Sequence, residues 1–327
     1  MWLIKNNKYK HMKTIKKGIY SSMLFTMLFL TACSSDDNNK EEQFTFPENE
    51  TIFLDSQAKL DAFGALGHTV FNQSIVIGTS NIIAPNNIIA PNNLITNLNA
   101  LSTLTSVKGI IIHYNNKLTT LQGLANLQTI ETDGLIIEEN PMLPNVNGLI
   151  GLETIGGDSY IGMNGIMANL DGLSNVLSIG GDLTIEENPM LPNVNGLIGL
   201  ESIGGDSIII MNGIMANLDG LSNVASIGGA LTIDENPKLE NVDGLVNLKS
   251  VGKDLVISRN SVLPNLNGLD HMNVIEGNLE IKNNPQLINL CGLEGVLDGD
   301  NLLGSYEVTG NGYNPTQEEL SVGKCSK

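Results

Sequence analysis

The chain has 327 residues, of which 41% are hydrophobic and 4% aromatic, and its formal net charge is −18. Six lysines and no acidic residue precede Cys33, so the part that follows carries 11 of the 17 basic residues against all 35 acidic ones; the six are Lys5, Lys8, Lys10, Lys13, Lys16 and Lys17. A surface this acidic repels nucleic acid and anionic lipid headgroups, and we expect no nucleic-acid partner.

Residues 1–32 have the organisation of a signal peptide. The lysines precede an apolar run, residues 23–30, which is short for a membrane span and suits a signal-peptide core. The run leads into Leu-Thr-Ala-Cys, which resembles a bacterial lipobox and implies that Cys33 is lipidated. A plain cleaved signal is the alternative, and either Met1 or Met12 can be the start.

Residues 33–45 are polar and acidic, which predicts a disordered tether. Their beginning, Cys-Ser-Ser-Asp-Asp, resembles the export signal of surface-exposed lipoproteins in Bacteroidetes-type bacteria. The resemblance implies an outer-membrane protein that is lipid-anchored and exposed at the cell surface. An inward-facing outer-membrane lipoprotein is the alternative, and in both cases the lipid is the only expected membrane contact.

Residues 46–93 are predicted to form an N-terminal cap and a first coil with a loop insertion. Residues 54–64 indicate a short helix that Asp55 or Ser56 can cap and that glycines end. An atypical helix at this end would cover a core that an open solenoid exposes.

Residues 74–78 then indicate the first strand. The doublet that follows, Ile-Ile-Ala-Pro-Asn-Asn over residues 82–87 and again over 88–93, predicts a loop because its prolines cannot sit in a regular central strand.

The region 94–296 is dominated by a tandem duplication in which Glu138–Ile185 is followed by a near copy, Glu186–Ile233. The second copy has Ser202, Ile208, Ile210, Ala225 and Ala230 where the first has Thr154, Tyr160, Gly162, Leu177 and Asp182. Each copy holds two coils, because a Gly-Leu pair recurs every 24 residues; its glycines are Gly148, Gly172, Gly196, Gly220, Gly244, Gly268 and Gly292, with Gly123 one residue further out. This fixed period predicts a solenoid with one strand-containing coil per repeat.

Each coil alternates apolar and polar residues over its strand, as in Leu183-Thr184-Ile185-Glu186, where the aliphatic side chains are expected inside. Eight residues before each Gly of the Gly-Leu pair stands an asparagine, and we expect these side chains to hydrogen bond their own coil and the next. The column consists of Asn115, Asn140, Asn164, Asn188, Asn212, Asn236, Asn260 and Asn284.

The coil consensus Leu-x-x-Leu-x-x-Ile-Gly-Gly-Asp-Leu-x-Ile-x-x-Asn-Pro-x-Leu-x-Asn-Val-x-Gly-Leu resembles the leucine-rich coil of receptor L domains over roughly residues 50–325. The resemblance implies an all-β-rich, right-handed β-solenoid, leucine-rich-repeat-like, with a binding or cell-surface role. The chain lacks the cysteine-rich modules and kinase of animal receptors, so hormone binding is not implied.

The outward strand positions predict a flat parallel sheet, the usual recognition surface of a solenoid. We expect Tyr114 and Tyr160 to stack on a sugar ring or pack against a protein partner, with a plain solvated face as the alternative. The predicted binding face comprises His113, Tyr114, Glu138, Glu139, Tyr160, Met163, Glu186 and Glu187.

Two motifs that mimic catalytic sites are better explained by structure. The adjacent carboxylates Glu186 and Glu187 point differently on a strand end, which disfavours acid/base catalysis. Gly-Asp-Ser at residues 157–159 and 205–207 mimics a serine-esterase motif, but the matching residue of the intervening coil is Leu183, which predicts an inward core position for both serines. We predict no catalytic residue, no metal and no cofactor.

Residues 297–327 are predicted to form a closing cap with a short helix over residues 316–320. Cys291 and Cys325 remain if Cys33 is lipidated, and export to an oxidising compartment predicts a disulfide between them.

Three functions remain open from the sequence. The first is a non-catalytic adhesion module that binds an extracellular glycan or protein. The others are a β-solenoid enzyme acting on polysaccharide and a passive spacer at the cell surface.

Overall fold

A computed structural model of the protein describes residues 44–46, 49–78, 95–297 and 301–327. The predicted signal peptide with Cys33, most of the tether, and the loop of residues 82–93 lie outside these ranges. The chain divides into two compact units, Met1–Thr51 and Ile52–Lys327. In the first unit, the described residues form no helix or strand.

The second unit is a parallel β-solenoid, as predicted. Its described strands form one seventeen-stranded sheet in which every strand pairing is parallel. The strands are β1 (Ile52–Leu54), β2 (Val70–Gly78), β3 (Ser106–His113), β4 (Thr129–Glu138), β5 (Thr154–Ile155), β6 (Ser159–Gly162), β7 (Ser178–Ile179), β8 (Leu183–Glu186), β9 (Ser202–Ile203), β10 (Ser207–Ile210), β11 (Ser226–Ile227), β12 (Leu231–Asp234), β13 (Ser250–Val251), β14 (Leu255–Ser258), β15 (Val274–Ile275), β16 (Leu279–Lys282) and β17 (Tyr306–Thr309).

From β5 to β16 each coil has a two-residue strand followed by a four-residue strand, and each strand pairs with its counterpart one coil away. Two glycines often join them, and this close approach of backbones demands glycine. A side chain at Gly180, for example, would overlap the carbonyl oxygen of Gly156 in the preceding coil. Pairing strands therefore stack with residues 24 apart in register, such as Ile161 with Ile185.

The opposite side of each coil is a single 3-10 turn that contains the Gly-Leu pair. Its glycine is again fixed by stacking, because a side chain at Gly172 would overlap the carbonyl oxygen of Val146. The following leucine enters the core, where Leu173 is 1% exposed. The turns are Asn99–Leu101, Gln122–Leu124, Asn147–Leu149, Asp171–Leu173, Asn195–Leu197, Asp219–Leu221, Asp243–Leu245, Asn267–Leu269 and Cys291–Leu293.

The N-terminal cap contains one more strand than the sequence predicted. Residues 52–54 pair with β2, so β1 rather than the segment 74–78 is the first described strand. Helix α1 (Gln57–Gly64) follows, and the side chain of Ser56 caps it by accepting a hydrogen bond from the Lys59 backbone nitrogen at 3.3 Å. Three residues of β1 are too few to show an alternating pattern, which is why the sequence did not reveal it.

The C-terminal cap is closed by the predicted disulfide between Cys291 and Cys325. Helix α2 (Glu294–Leu297) continues the last 3-10 turn, and helix α3 (Gln317–Ser321) begins at a capping box formed by Thr316 and Glu319. The disulfide closes a separation of 34 residues and so ties the chain end to the last coil.

Candidate binding face

The corner at which each four-residue strand ends has an uncommon backbone conformation. In eight successive coils of the described region, the residue after the strand is left-handed, with φ between 53° and 57°, although it is not glycine. This corner column consists of Tyr114, Glu139, Met163, Glu187, Met211, Glu235, Arg259 and Asn283. The matching residue of the closing cap is Gly310, with φ of 71°.

The predicted asparagine column lies directly after the corner column and holds it in place. Asn188 donates from Nδ2 to the carbonyl oxygens of Glu186 at 3.0 Å and Ile161 at 2.9 Å, which lie in its own and the preceding coil. Its backbone nitrogen donates to Oδ1 of Asn212 at 3.2 Å, in the next coil. Asn115, Asn140, Asn164, Asn188, Asn212, Asn236, Asn260 and Asn284 are all fully buried.

The backbone of each corner residue also joins the next coil, as in Glu187, whose N–H donates to the carbonyl of Ile210 at 3.2 Å. A left-handed conformation costs a non-glycine residue about 1–3 kcal/mol and persists only where the surroundings impose it. Glycine and asparagine adopt it more readily. The turn by itself does not require tyrosine, methionine or glutamate, so these side chains are candidates for a role beyond the turn.

Four residues of the predicted binding face are not exposed, which corrects the expectation that outward strand side chains meet solvent. The exposed fraction is 2% for His113, Glu138 and Glu186 and 6% for Tyr160. Strands about 4.8 Å apart in register place each such side chain against those of neighbouring coils. The accessible members of the predicted face are the corner residues, which are half-buried: Tyr114, Glu139, Met163 and Glu187.

Tyr160 lies flat across its own strand. The space that a side chain at Gly162 would need is filled by the Tyr160 ring, 2.6–2.8 Å from the position of the missing Cβ, and the hydroxyl donates to Glu186. Burial and the Glu186 carboxylate raise the pKa of the Tyr160 hydroxyl, so it stays protonated. The second copy has Ile208 in place of Tyr160 and Ile210 in place of Gly162. Two of the five differences between the copies are therefore coupled, because the tyrosine ring fits only where the residue two positions on has no side chain.

A column of aspartates joins successive coils on the approach to the four-residue strands. Oδ1 of Asp158, Asp182 and Asp206 accepts a hydrogen bond from the next coil's backbone at 2.9, 2.7 and 2.9 Å. Burial raises the pKa of the Asp182 carboxyl, and the like charges of Asp158 and Asp206 raise it further. Ala230 interrupts the column, and Lys253 reaches past it to Asp206 at 3.1 Å.

Charge is distributed unevenly along the solenoid. Near its C-terminal end Arg259 pairs with Asp234 and Glu235, and Lys282 lies 2.9 and 2.7 Å from carboxylates of Glu280 and Glu307. The 118–237 stretch, in contrast, contains no lysine, arginine or histidine. The cationic partners of its acidic residues come from outside the stretch, such as Lys108 for Asp133 and Arg259 for Asp234.

A column of side chains six residues before the Gly of each Gly-Leu pair contains exposed apolar residues that were not among the predicted site residues. In four successive coils this column, the apolar stripe, consists of Met142, Ile166, Met190 and Ile214, which are 49%, 43%, 51% and 42% exposed. The 24-residue period was the available signal, because it places these four residues in one column. Their exposure could not be read from the pattern, since Leu143, one residue on, is fully buried.

Among the described residues, one cluster has donor atoms close enough for a metal ion: Cys291, Glu294 and Cys325, within 4.8 Å of one another. Both sulfur atoms belong to the disulfide, so neither is a thiolate ligand. None of the helices in the described ranges has the length and apolar character that a membrane span requires.

The fold defines the chain as a parallel β-solenoid with 24-residue coils and two different caps. Comparison with protein-family models, curated proteins and solved structures found no significant match. The features of the chain that bear on its function are the corner column, the apolar stripe and the residue pattern of positions 1–45.

Proposed function

We propose that this protein is a lipoprotein of the outer membrane, exposed at the cell surface and anchored through Cys33, whose solenoid binds an extracellular glycan or protein without catalysis. The observation that carries the proposal is the corner column, in which large side chains keep a left-handed backbone that glycine would adopt at lower cost. The lipobox-like motif and the resemblance to receptor L domains support the surface location and the binding role.

The surroundings of the two catalytic look-alikes support a non-catalytic role. Ser159 and Ser207 are 1% and 0% exposed and occupy the same inward column as Leu183. Glu186 is buried, whereas its neighbour Glu187 is half-exposed on the corner column. Neither arrangement places a nucleophile or a carboxylate pair where a polysaccharide can reach both groups.

A passive spacer is the second candidate, and the near-identity of the two copies favours it because a spacer needs only length. The five differences lie outside the main aliphatic columns of the core. Leu177, for example, is 53% exposed where the second copy has Ala225. A spacer, however, has no use for the left-handed tyrosine and methionines.

The experiment applies the full-length protein in mild detergent to polysaccharides and extracellular glycoproteins, and reads retention and released sugar in the same wells. The test variant combines Tyr114→Gly, Met163→Gly and Glu187→Gly, which remove corner side chains while keeping a residue suited to the turn. We expect saturable retention without product for the native chain and loss of retention in the variant, with no fall in its free energy of unfolding. A matched control, Ile198→Gln, changes an exposed residue of another column.

Each outcome discriminates between the hypotheses. Retention that survives in the glycine variant contradicts recognition by the corner column. Released sugar supports the enzyme, and absence of retention on every ligand supports the spacer.

A further inference from the structure

The apolar stripe runs beside the corner column through the duplicated coils. Each stripe residue follows a corner residue by three positions, as Met142 follows Glu139 and Met190 follows Glu187. Successive coils are about 4.8 Å apart, so four aligned side chains form a strip about 14 Å long. Aligned methionines and isoleucines give an adaptable apolar surface of the kind that binds amphipathic partners.

The stripe lies in the part of the solenoid that has no basic residue. Lysines occupy the same column only in the coils that flank it, at Lys117 and Lys238. The acidic residues next to the stripe along the chain are Glu139 and Glu187 of the corner column, which are half-buried and precede Met142 and Met190 by three positions. An apolar strip with accessible carboxylates beside it, in coils that contain no basic residue, is complementary to a ligand with an apolar face and cationic flanks.

The spacing of the stripe favours a helix as that ligand. An α-helix presents the same face once per turn, about every 5.4 Å, close to the coil spacing of about 4.8 Å. An extended strand presents the same face about every 6.6 Å and falls out of step within a few coils. A helix with apolar residues at every third or fourth position can therefore contact all four stripe residues.

We propose that the apolar stripe and the neighbouring carboxylates of Glu139 and Glu187 bind a cationic amphipathic helix of another polypeptide. This inference rests on the proposed binding function and selects a protein segment over a glycan as the ligand of this surface. A second copy of the chain is disfavoured because two surfaces without basic residues repel each other. A neutral polysaccharide would need exposed aromatic platforms, and the four stripe residues provide none.

The experiment measures binding of a synthetic leucine–lysine peptide, patterned as a helix with one apolar face, to the full-length protein in mild detergent. A scrambled peptide of the same composition and a leucine–glutamate helix serve as ligand controls. The test variant, Ile166→Gln with Met190→Gln, removes apolar surface from the stripe. Glutamine suits this column, because Gln286 occupies the same position in a later coil. Ile150→Gln with Ile198→Gln is the matched control, because these residues are 45% and 44% exposed in a different column.

We expect the test variant to weaken binding of the cationic helix by about tenfold, the control variant to leave it unchanged, and both control peptides to bind far more weakly. The proposal is overturned if the cationic helix does not bind. It is also overturned if the scrambled peptide binds as well as the helical one and the test variant binds as well as the native chain, because charge attraction alone would then explain the binding. If the peptide fails but the corner column retains a glycan or glycoprotein, this inference fails while the proposed binding function stands.

Discussion

Replacement of Asn188 by alanine tests whether the asparagine column holds the corner column in its left-handed conformation. The change removes Nδ2, which donates hydrogen bonds to the carbonyl oxygens of Ile161 and Glu186. It also removes Oδ1, which accepts a hydrogen bond from the backbone nitrogen of Asn164 at 3.2 Å. Three buried backbone groups each lose a hydrogen bond, at about 1–3 kcal/mol per group. Carbonyl oxygens can accept a second bond, so the lower part of this range applies, and we expect a total loss of about 3–5 kcal/mol.

The matched control is Asn193→Ala, which changes the asparagine three residues before Gly196. Asn193 is half-buried, and its Oδ1 accepts one hydrogen bond, from the backbone nitrogen of Asn195 at 3.0 Å. Asn195 is the first residue of the 3-10 turn. Loss of one such bond costs about 1 kcal/mol. Urea unfolding of both variants, followed by circular dichroism, compares the two free energies of unfolding. Equal losses in the two variants would refute the asparagine column as the main restraint on the corner.

Gly162→Ile should lower the free energy of unfolding by about 1–3 kcal/mol, because the new side chain meets the Tyr160 ring. Adding Tyr160→Ile should recover most of that loss in the same urea assay, since the second copy has isoleucine at both places; additive losses would contradict the coupling. Asp182→Asn should raise the free energy of unfolding at neutral pH, because a raised pKa means that the fold disfavours the ionised carboxyl, and the amide keeps the acceptor as Asn278 does. The gain should shrink as the pH falls through the folded-state pKa, where native Asp182 is protonated; a gain that persists at acid pH would contradict the electrostatic cause.

The local pattern of the coil was enough to place most of the core. Because one period repeats, Leu183 and Ile185 could be assigned to the interior, and both are fully buried. The same comparison across coils placed Ser159 in the inward column, where it is 1% exposed. The disulfide between Cys291 and Cys325 could be predicted because the expected lipidation of Cys33 left these two cysteines, and the expected export favoured their oxidation.

The surface was predicted less well, because alternation along a strand gives the direction of a side chain but not what lies beside it. Glu186 points outward as expected, yet it is 2% exposed. The exposed part of the predicted face is the corner, where Tyr114 and Glu187 follow the strand. The pairing of Lys253 with Asp206 spans 47 residues and skips a coil, which no local pattern indicates.

The sequence by itself determined the period, and with it the stacking direction, the core columns and the asparagine column, because these depend on which residue types recur every 24 positions. Only the tertiary structure decided the left-handed corner and the exposure of the apolar stripe. Both depend on the hydrogen bonds and side chains that adjacent coils supply to one another. At Met163 the backbone conformation is imposed by neighbouring coils, since the residue itself would favour another.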